Sequence, residues 1–152
     1  FSPRITALGD VWGYFSSGDL YDFGNTNKRD MFYIRTLDDS YTAEDFLMLA
    51  KSTLTHEFQH LVNYVEHTIL RAGSPEESWL NEGLSVEAEW RYSFNNDSRI
   101  DFYCWNSNII GIAYWQGSMA NYGGDGLFLR YIFEQLALLS YVEISVLWVG
   151  FG

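Results

Sequence analysis

Cysteine is nearly missing from this sequence: Cys104 stands alone among 152 residues, so no internal disulfide can form. Cationic side chains are also few. Nine Lys and Arg stand against twenty Asp and Glu, a net charge of -11 that argues against nucleic acid and anionic membranes as partners and favours solubility. No uninterrupted apolar run reaches the length of a membrane span; the nearest, Leu136 to Val149, is short and carries Glu143. No signal peptide is visible. The chain opens at Phe1 instead of a methionine, as a processed chain or an excised piece would, so a missing targeting segment decides nothing about compartment. Repeats, linkers and low-complexity tracts are absent too, which makes residues 1–152 a single domain. With 47% apolar and 18% aromatic residues, that domain is globular and has enough chain for one core.

What is present is led by His56-Glu57-Phe58-Gln59-His60, inside a helical pattern. Residues four apart share a helix face with Cβ atoms roughly 5–6 Å apart, so two imidazoles at this spacing can converge on one ion. Glu57 sits at the edge of that face, where it can act as a base beside the ion without being a ligand. Two surface histidines on an amphipathic helix are the plain alternative, and the surrounding sequence has to decide between them.

Residues 1–30 carry Gly, Asp, Asn and Ser around apolar patches such as Val11 to Phe15, a pattern of short strands and turns. Asp22 to Asp30 reads as a loop, and Met31 to Thr36, aromatic and β-branched, as the best strand. Thr42 with Asp45 resembles a capping pair that starts a helix. Phe46, Leu49, Leu54, Phe58, Leu61, Val65 and Ile69 then recur at three and four residues, predicting one buried stripe with His56 and His60 on its flank. Gly73 is expected to end this helix. Ser74-Pro75-Glu76-Glu77 supplies a cap, a first-turn proline and an acid, so a second helix is expected from there, or from Ser78, to Tyr92. Asn95 to Ser98 reads as a loop whose Asp97, with Asp101, offers calcium ligands, although such loops are usually just solvated. Residues 101–120 show no clear period. From Gly126 another amphipathic helix is predicted, followed by a terminal strand through Val142, Ile144 and Val146.

A catalytic zinc commonly takes three protein ligands and keeps one open position. His67 is seven residues past His60, about 10 Å along the helix, too far to share the ion unless the helix breaks. An HExxHxxGxxH arrangement fails because Asn63 and Glu66 stand where glycine and histidine are needed. The stronger candidate is Glu82 in Trp79-Leu80-Asn81-Glu82-Gly83-Leu84-Ser85, 22 residues after His60 and across the turn at Gly73 to Pro75. An antiparallel second helix would bring its carboxylate opposite the first.

HEFQH followed by WLNEGLS resembles the gluzincin metallopeptidases and, with a strand like Met31 to Thr36 ahead of it, most resembles the hyicolysin-like neutral metallopeptidases. The resemblance covers roughly residues 28–93. It implies an α+β zincin-like catalytic domain: a small N-terminal β part, the HExxH helix, a second helix with the third ligand and a mainly helical C-terminal part. It also implies His56, His60 and Glu82 as zinc ligands and Glu57 as catalytic base. Glu89, on the same helix face as Glu82, stands at an offset where aminopeptidase-N-like gluzincins carry Glu, which suits orienting a ligand histidine. Glu87 is expected to face water. Val86 occupies the place of the aspartate in the thermolysin-like pattern, which disfavours that subfamily.

The activity implied is zinc-dependent hydrolysis of protein or peptide substrates by an activated water, outside the cell or at its surface. Gluzincins commonly stabilise the oxyanion with a Tyr or His from the C-terminal half. No histidine follows His67, so Tyr122 is the candidate, flanked by glycines that allow close substrate approach, with Tyr114 behind it. The strand Met31 to Thr36 could pair with an extended substrate. Aminopeptidase-type enzymes grip the substrate amine with a GxMEN segment before HExxH. Gly117 to Asn121 imitates it only after HExxH and with Ala120 in place of the acid, so an endopeptidase is expected. Two alternatives stay open: an aminopeptidase-type gluzincin, and a metal-binding but inactive module, since complete gluzincin units usually carry more C-terminal chain. Cys104 as a nucleophile has no activating base nearby and is expected to be a small buried thiol.

Overall fold

The computed structural model describes residues 11–92 and 94–147, the last ten of these as backbone alone. Its N-terminal part is a two-stranded antiparallel ribbon, β1 (Gly13–Phe15) and β2 (Phe32–Ile34), in the register Gly13↔Ile34, Tyr14↔Tyr33, Phe15↔Phe32. A ribbon this short is marginal alone. Two devices hold it. Tyr14 and Tyr33 stack at 4.3 Å, and the connecting loop is gathered on the buried carboxylate of Asp19, which accepts from the backbone N–H of Asn27 (2.9 Å) and from the hydroxyl of Tyr33 (2.6 Å). Gly13 lets the ribbon close onto the next helix, since a Cβ there would lie 2.6 Å from both Thr53 Cγ2 and the Tyr33 carbonyl oxygen. Residues 1–10, part of the predicted N-terminal β region, lie outside the described residues.

Helix α1 (Ala43–Asn63) starts as its sequence predicts: the Thr42 hydroxyl accepts from the Asp45 N–H (3.1 Å) and donates to the Asp45 carboxylate (2.7 Å). It continues as a wider π-helical segment, Tyr64–Leu70. At its end the Gly73 N–H donates to the His67 carbonyl (2.9 Å), and any Cβ at Gly73 would meet that oxygen at 2.8 Å. Helix α2 (Ser78–Arg91) takes the later of the two expected starts; Glu77 precedes it without a side-chain cap.

Two further helices depart from the sequence reading. Asp97–Asn106 is a helix, α3, although residues 101–120 showed no period. Asp97 and Asp101 are therefore helical, and they join no metal-competent group among the described residues. Cys104 on α3 is exposed, not buried. Helix α4 (Met119–Leu147) starts well before Gly126 and runs through Val142, Ile144 and Val146, where a strand was expected. Extending an existing helix gains one backbone bond per residue, whereas a lone terminal strand needs a partner, so propagation overrides the alternation.

α2 is the central element, packed on α1 at one side and α4 at the other, with α3 laid against α4. The α2–α4 contact is close because glycines line it. A Cβ on Gly126 would stand 2.4 Å from Val86, and one on Gly83 3.1 Å from the Asp125 carbonyl. Val86, Ala120 and Leu129 form the buried apolar set there among the described residues. The predicted stripe along α1 and its π-helical continuation is buried only in part: Phe46, Leu49, Leu61 and Val65 are half-buried, Leu54, Phe58 and Ile69 are 41%, 55% and 43% exposed, and the fully buried residues of α1 are His56 and Glu57. The architecture is α+β, mostly helical with a small sheet, and no helix among the described residues is long and apolar enough to cross a membrane.

Candidate metal centre

The inward face of α1 meets α2 across the turn at 71–77, and three predicted ligands converge there. His56 Nε2 lies 3.0 Å and His60 Nε2 3.5 Å from Glu82 Oε2. Ligand atoms of the three residues all fall within 4.8 Å of one another, a grouping of metal-competent side chains seen nowhere else among the described residues. Bonds of about 2.0–2.1 Å in a tetrahedron put neighbouring ligand atoms roughly 3.3 Å apart, so the two measured separations bracket a zinc-sized gap. Two imidazole nitrogens and a carboxylate oxygen also form the donor set that catalytic zinc takes. The residues fit the ion.

The outer ring nitrogens are engaged away from this gap. His56 Nδ1 donates to Glu89 Oε1 at 2.6 Å, and Glu89 in turn accepts from Arg99 Nη1 (2.8 Å) and the Ser52 hydroxyl (2.8 Å). His60 Nδ1 donates to the Ser85 hydroxyl at 3.2 Å, which passes its own proton to the Asn81 carbonyl (3.3 Å). Acceptors at both Nδ1 positions orient the two rings so that each Nε2 faces Glu82. Asn63, where the rejected motif needed glycine, donates from Nδ2 to Asn81 Oδ1 (3.0 Å) and ties the end of α1 to α2.

Electrostatics follow from crowding charges under cover. Burial opposes a charged His56, yet Glu82 and Glu89 on its two nitrogens hold its pKa up at about 9. Burial likewise pushes Glu82 up, but the two histidines overcome it and hold it at about 2. A cation held between them would take the place of the proton that His56 Nε2 shares with Glu82. Glu57 is raised, by burial first; His56, His60 and the Phe15 N–H pull it back only in part. Tyr122 is also raised, by burial and then by the negative field of Glu82, so its hydroxyl stays protonated.

Tyr122 sits in the first turn of α4, its ring 6.0 Å from that of His56, held by the edge of Trp115 (4.9 Å) and the Arg99 guanidinium (5.2 Å). The glycines around it serve packing, not substrate approach. A Cβ on Gly123 would lie 2.0 Å from the Arg99 carbonyl oxygen, and one on Gly124 2.6 Å from the Tyr103 ring. Tyr114 is exposed. Gly117 to Asn121 is explained by structure: buried Asn121 accepts from the N–H groups of Gln116 (3.2 Å) and Ser118 (3.3 Å) and donates to the Tyr114 carbonyl (2.8 Å).

Other expectations are corrected. Glu87 does not face water; it is buried, accepts from Arg91 Nε (2.9 Å), and has its pKa raised by burial. His67 lies apart from the centre and pairs with Glu76 (2.9 Å). The strand beside the centre is β1, not the predicted strand at 31–36: Gly13 to Phe15 line the cleft, and the Phe15 N–H points at Glu57. Ser85 and Arg99 carried no role in the sequence reading. Ser85, one helical turn after Glu82, was within reach of periodicity; Arg99 belongs to a helix that left no periodic trace.

Two clefts open on either side of the centre, sharing Gly13, His56, Glu57 and Tyr122 in their walls. The larger, about 400 Å³, runs toward the 71–77 turn, and the smaller, about 270 Å³, runs toward Arg99.

No family model matches the chain. It is similar to the neutral metalloprotease ShpI of Staphylococcus hyicus, with 34% identity over 132 residues that cover 81% of this chain and 29% of that relative. The chain thus spans less than a third of the relative's length.

Proposed function

We propose that this chain carries the zinc-binding catalytic centre of a gluzincin-type metalloendopeptidase, with His56, His60 and Glu82 as ligands and Glu57 as general base. The observation that carries the reading is the meeting of two Nε2 atoms and one carboxylate oxygen at ligand spacing, with a separate buried carboxylate beside them. The metalloprotease relative supports the same chemistry, and the resemblance to hyicolysin-like neutral metallopeptidases implies action outside the cell.

Zinc, when bound, supplies Lewis acidity toward a carbonyl and toward water. The rest falls to the protein. Glu57, its affinity for protons raised by burial, takes a proton during attack and returns it to the leaving amine. Tyr122, kept protonated, donates a hydrogen bond to the oxygen on which charge develops. The edge of β1 turned toward Glu57 offers backbone groups to an extended substrate. The Gly117 to Asn121 segment, closed upon itself by Asn121, supplies no amine grip, which favours internal cleavage. Glu89 and Ser85 hold the histidine rings.

The direct test is hydrolysis of a casein-type substrate by zinc-loaded protein, before and after chelation. Activity that disappears with the metal and returns with zinc is expected. Glu57→Gln should retain stoichiometric zinc and lose about 10²–10⁴-fold in turnover. Wild-type turnover in that variant would remove the base, and one zinc per chain without any hydrolysis would leave a metal-binding module.

A further inference from the structure

We infer that the larger cleft beside the centre is a subsite for a basic substrate side chain, lysine or arginine, with Glu76 as its counter-ion. The inference rests on the peptidase reading above and adds a substrate class to it.

The larger cleft is lined by residues of the 71–77 turn, of β1, of the π-helical segment and of the centre itself. Its carboxylates are Glu57, Glu82 and Glu76, and no lysine or arginine among the described residues lines it. Glu57 and Glu82 belong to the centre itself. Glu76 is left over: its side chain is 23% exposed, and the ionic partner it has among the described residues is His67 Nδ1, at Oε1. The approach is to Oε1 alone, and the turn lies tight against His67, since a Cβ on Gly73 would stand 2.8 Å from His67 Nε2.

The same cleft is lined by the rings of Phe15 and Tyr64, 6.2 Å apart and tilted at 57°. Such a wall accepts the alkyl stem of a long cationic side chain and faces its charged end with π-electrons. The smaller cleft mixes Trp12, Leu49 and Met119 with Glu57, Glu89 and Arg99. There Arg99 is paired with Glu89 at 2.8 Å and Glu57 belongs to the centre, so the Glu76 cleft is the one that has a carboxylate to spare for a basic side chain. The net charge of -11 adds a long-range field that draws cationic peptides in and weakens with salt.

The experiment compares peptides that differ only in Lys, Gln or Glu at each position next to the bond cut. The protein is zinc-loaded wild type, Glu76→Gln or Glu76→Lys, each checked for zinc content and melting temperature. The Lys peptide should exceed the Gln peptide about tenfold in kcat/KM at one position, the size of a partly desolvated ion pair with an aromatic contact. That ratio should collapse to within about twofold in Glu76→Gln and invert in Glu76→Lys. A purely structural Glu76 would alter all peptides alike. A parallel calorimetric titration uses zinc-loaded Glu57→Gln, with and without Glu76→Gln, and reads the same preference as affinity without turnover. Glu76-dependent binding of the Lys peptide without cleavage by the wild type keeps the subsite and defeats the peptidase reading. Cleavage without charge preference, or a preference that survives Glu76→Gln, overturns the subsite. Neither cleavage nor Glu76-dependent binding overturns both.

Discussion

At the scale of single residues, the centre depends on each polar atom having one assignment. His56 and His60 spend their Nδ1 protons on Glu89 and Ser85 and turn Nε2 to Glu82. Glu57 and Tyr122 keep proton affinities raised by burial. Replacing Tyr122 by Phe removes one preorganised donor while leaving the packing with Trp115 and Arg99 in place. About 10²–10³-fold loss in kcat with unchanged zinc content is expected; turnover equal to wild type would discard the tyrosine. Much of this was legible in the sequence, because helix spacing and one short connection determine it. Two histidines four apart, and a glutamate on the next helix past a Gly-Ser-Pro turn, can hardly avoid one another. Glu89 was legible by the same seven-residue spacing. The burial of Glu87 was not, since only the packing of α4 over α2 decides which flank of α2 meets water.

At the scale of elements, close approach governs the site. Gly123 lies against the Arg99 carbonyl, and Arg99 reaches Glu89, which holds His56. Gly123→Ala must therefore push α4 and α3 apart. Overpacking of this kind costs about 1–3 kcal/mol, and here it should also weaken zinc binding by displacing Arg99. Gly111→Ala, with nothing within 4 Å of its Cβ, should stay within about 0.5 kcal/mol. Thermal melts and zinc titrations of the pair check both; equal stability would mean the helices do not pack this closely. The sequence misled at this scale in a consistent way. Gly123, Gly124 and Gly126 suggested a loop open to substrate, and they are the small faces of a helix crossing. The apolar period of α1 marked a face that is covered only in part, whereas the residues of α1 buried completely, His56 and Glu57, are polar. Periodicity identifies a face, and it takes a neighbour to bury it.

At the scale of the whole molecule, the deepest layer is unusually ionic. Asp125, buried in α4, has Oδ2 without a partner while the carboxyl accepts from the Ala113 N–H. Burial raises its pKa from 3.8 to about 6. The folded state therefore holds this proton more tightly than the unfolded chain, so Asp125 costs nothing at low pH and destabilises increasingly as pH rises from about 4 through 6. The full penalty is at most about 3 kcal/mol. Asp125→Asn should melt several degrees above wild type at about pH 7.5 and show little or no gain at about pH 4. A gain that does not depend on pH would show that the buried charge is not its cause.

The central claim, that one zinc ion is shared by His56, His60 and Glu82, is tested most directly by anomalous scattering at the zinc edge from crystals of the zinc-loaded protein. A single strong peak about 2.0–2.2 Å from both Nε2 atoms and a Glu82 oxygen is expected. A peak that omits Glu82, or one lodged elsewhere on the molecule, would contradict it.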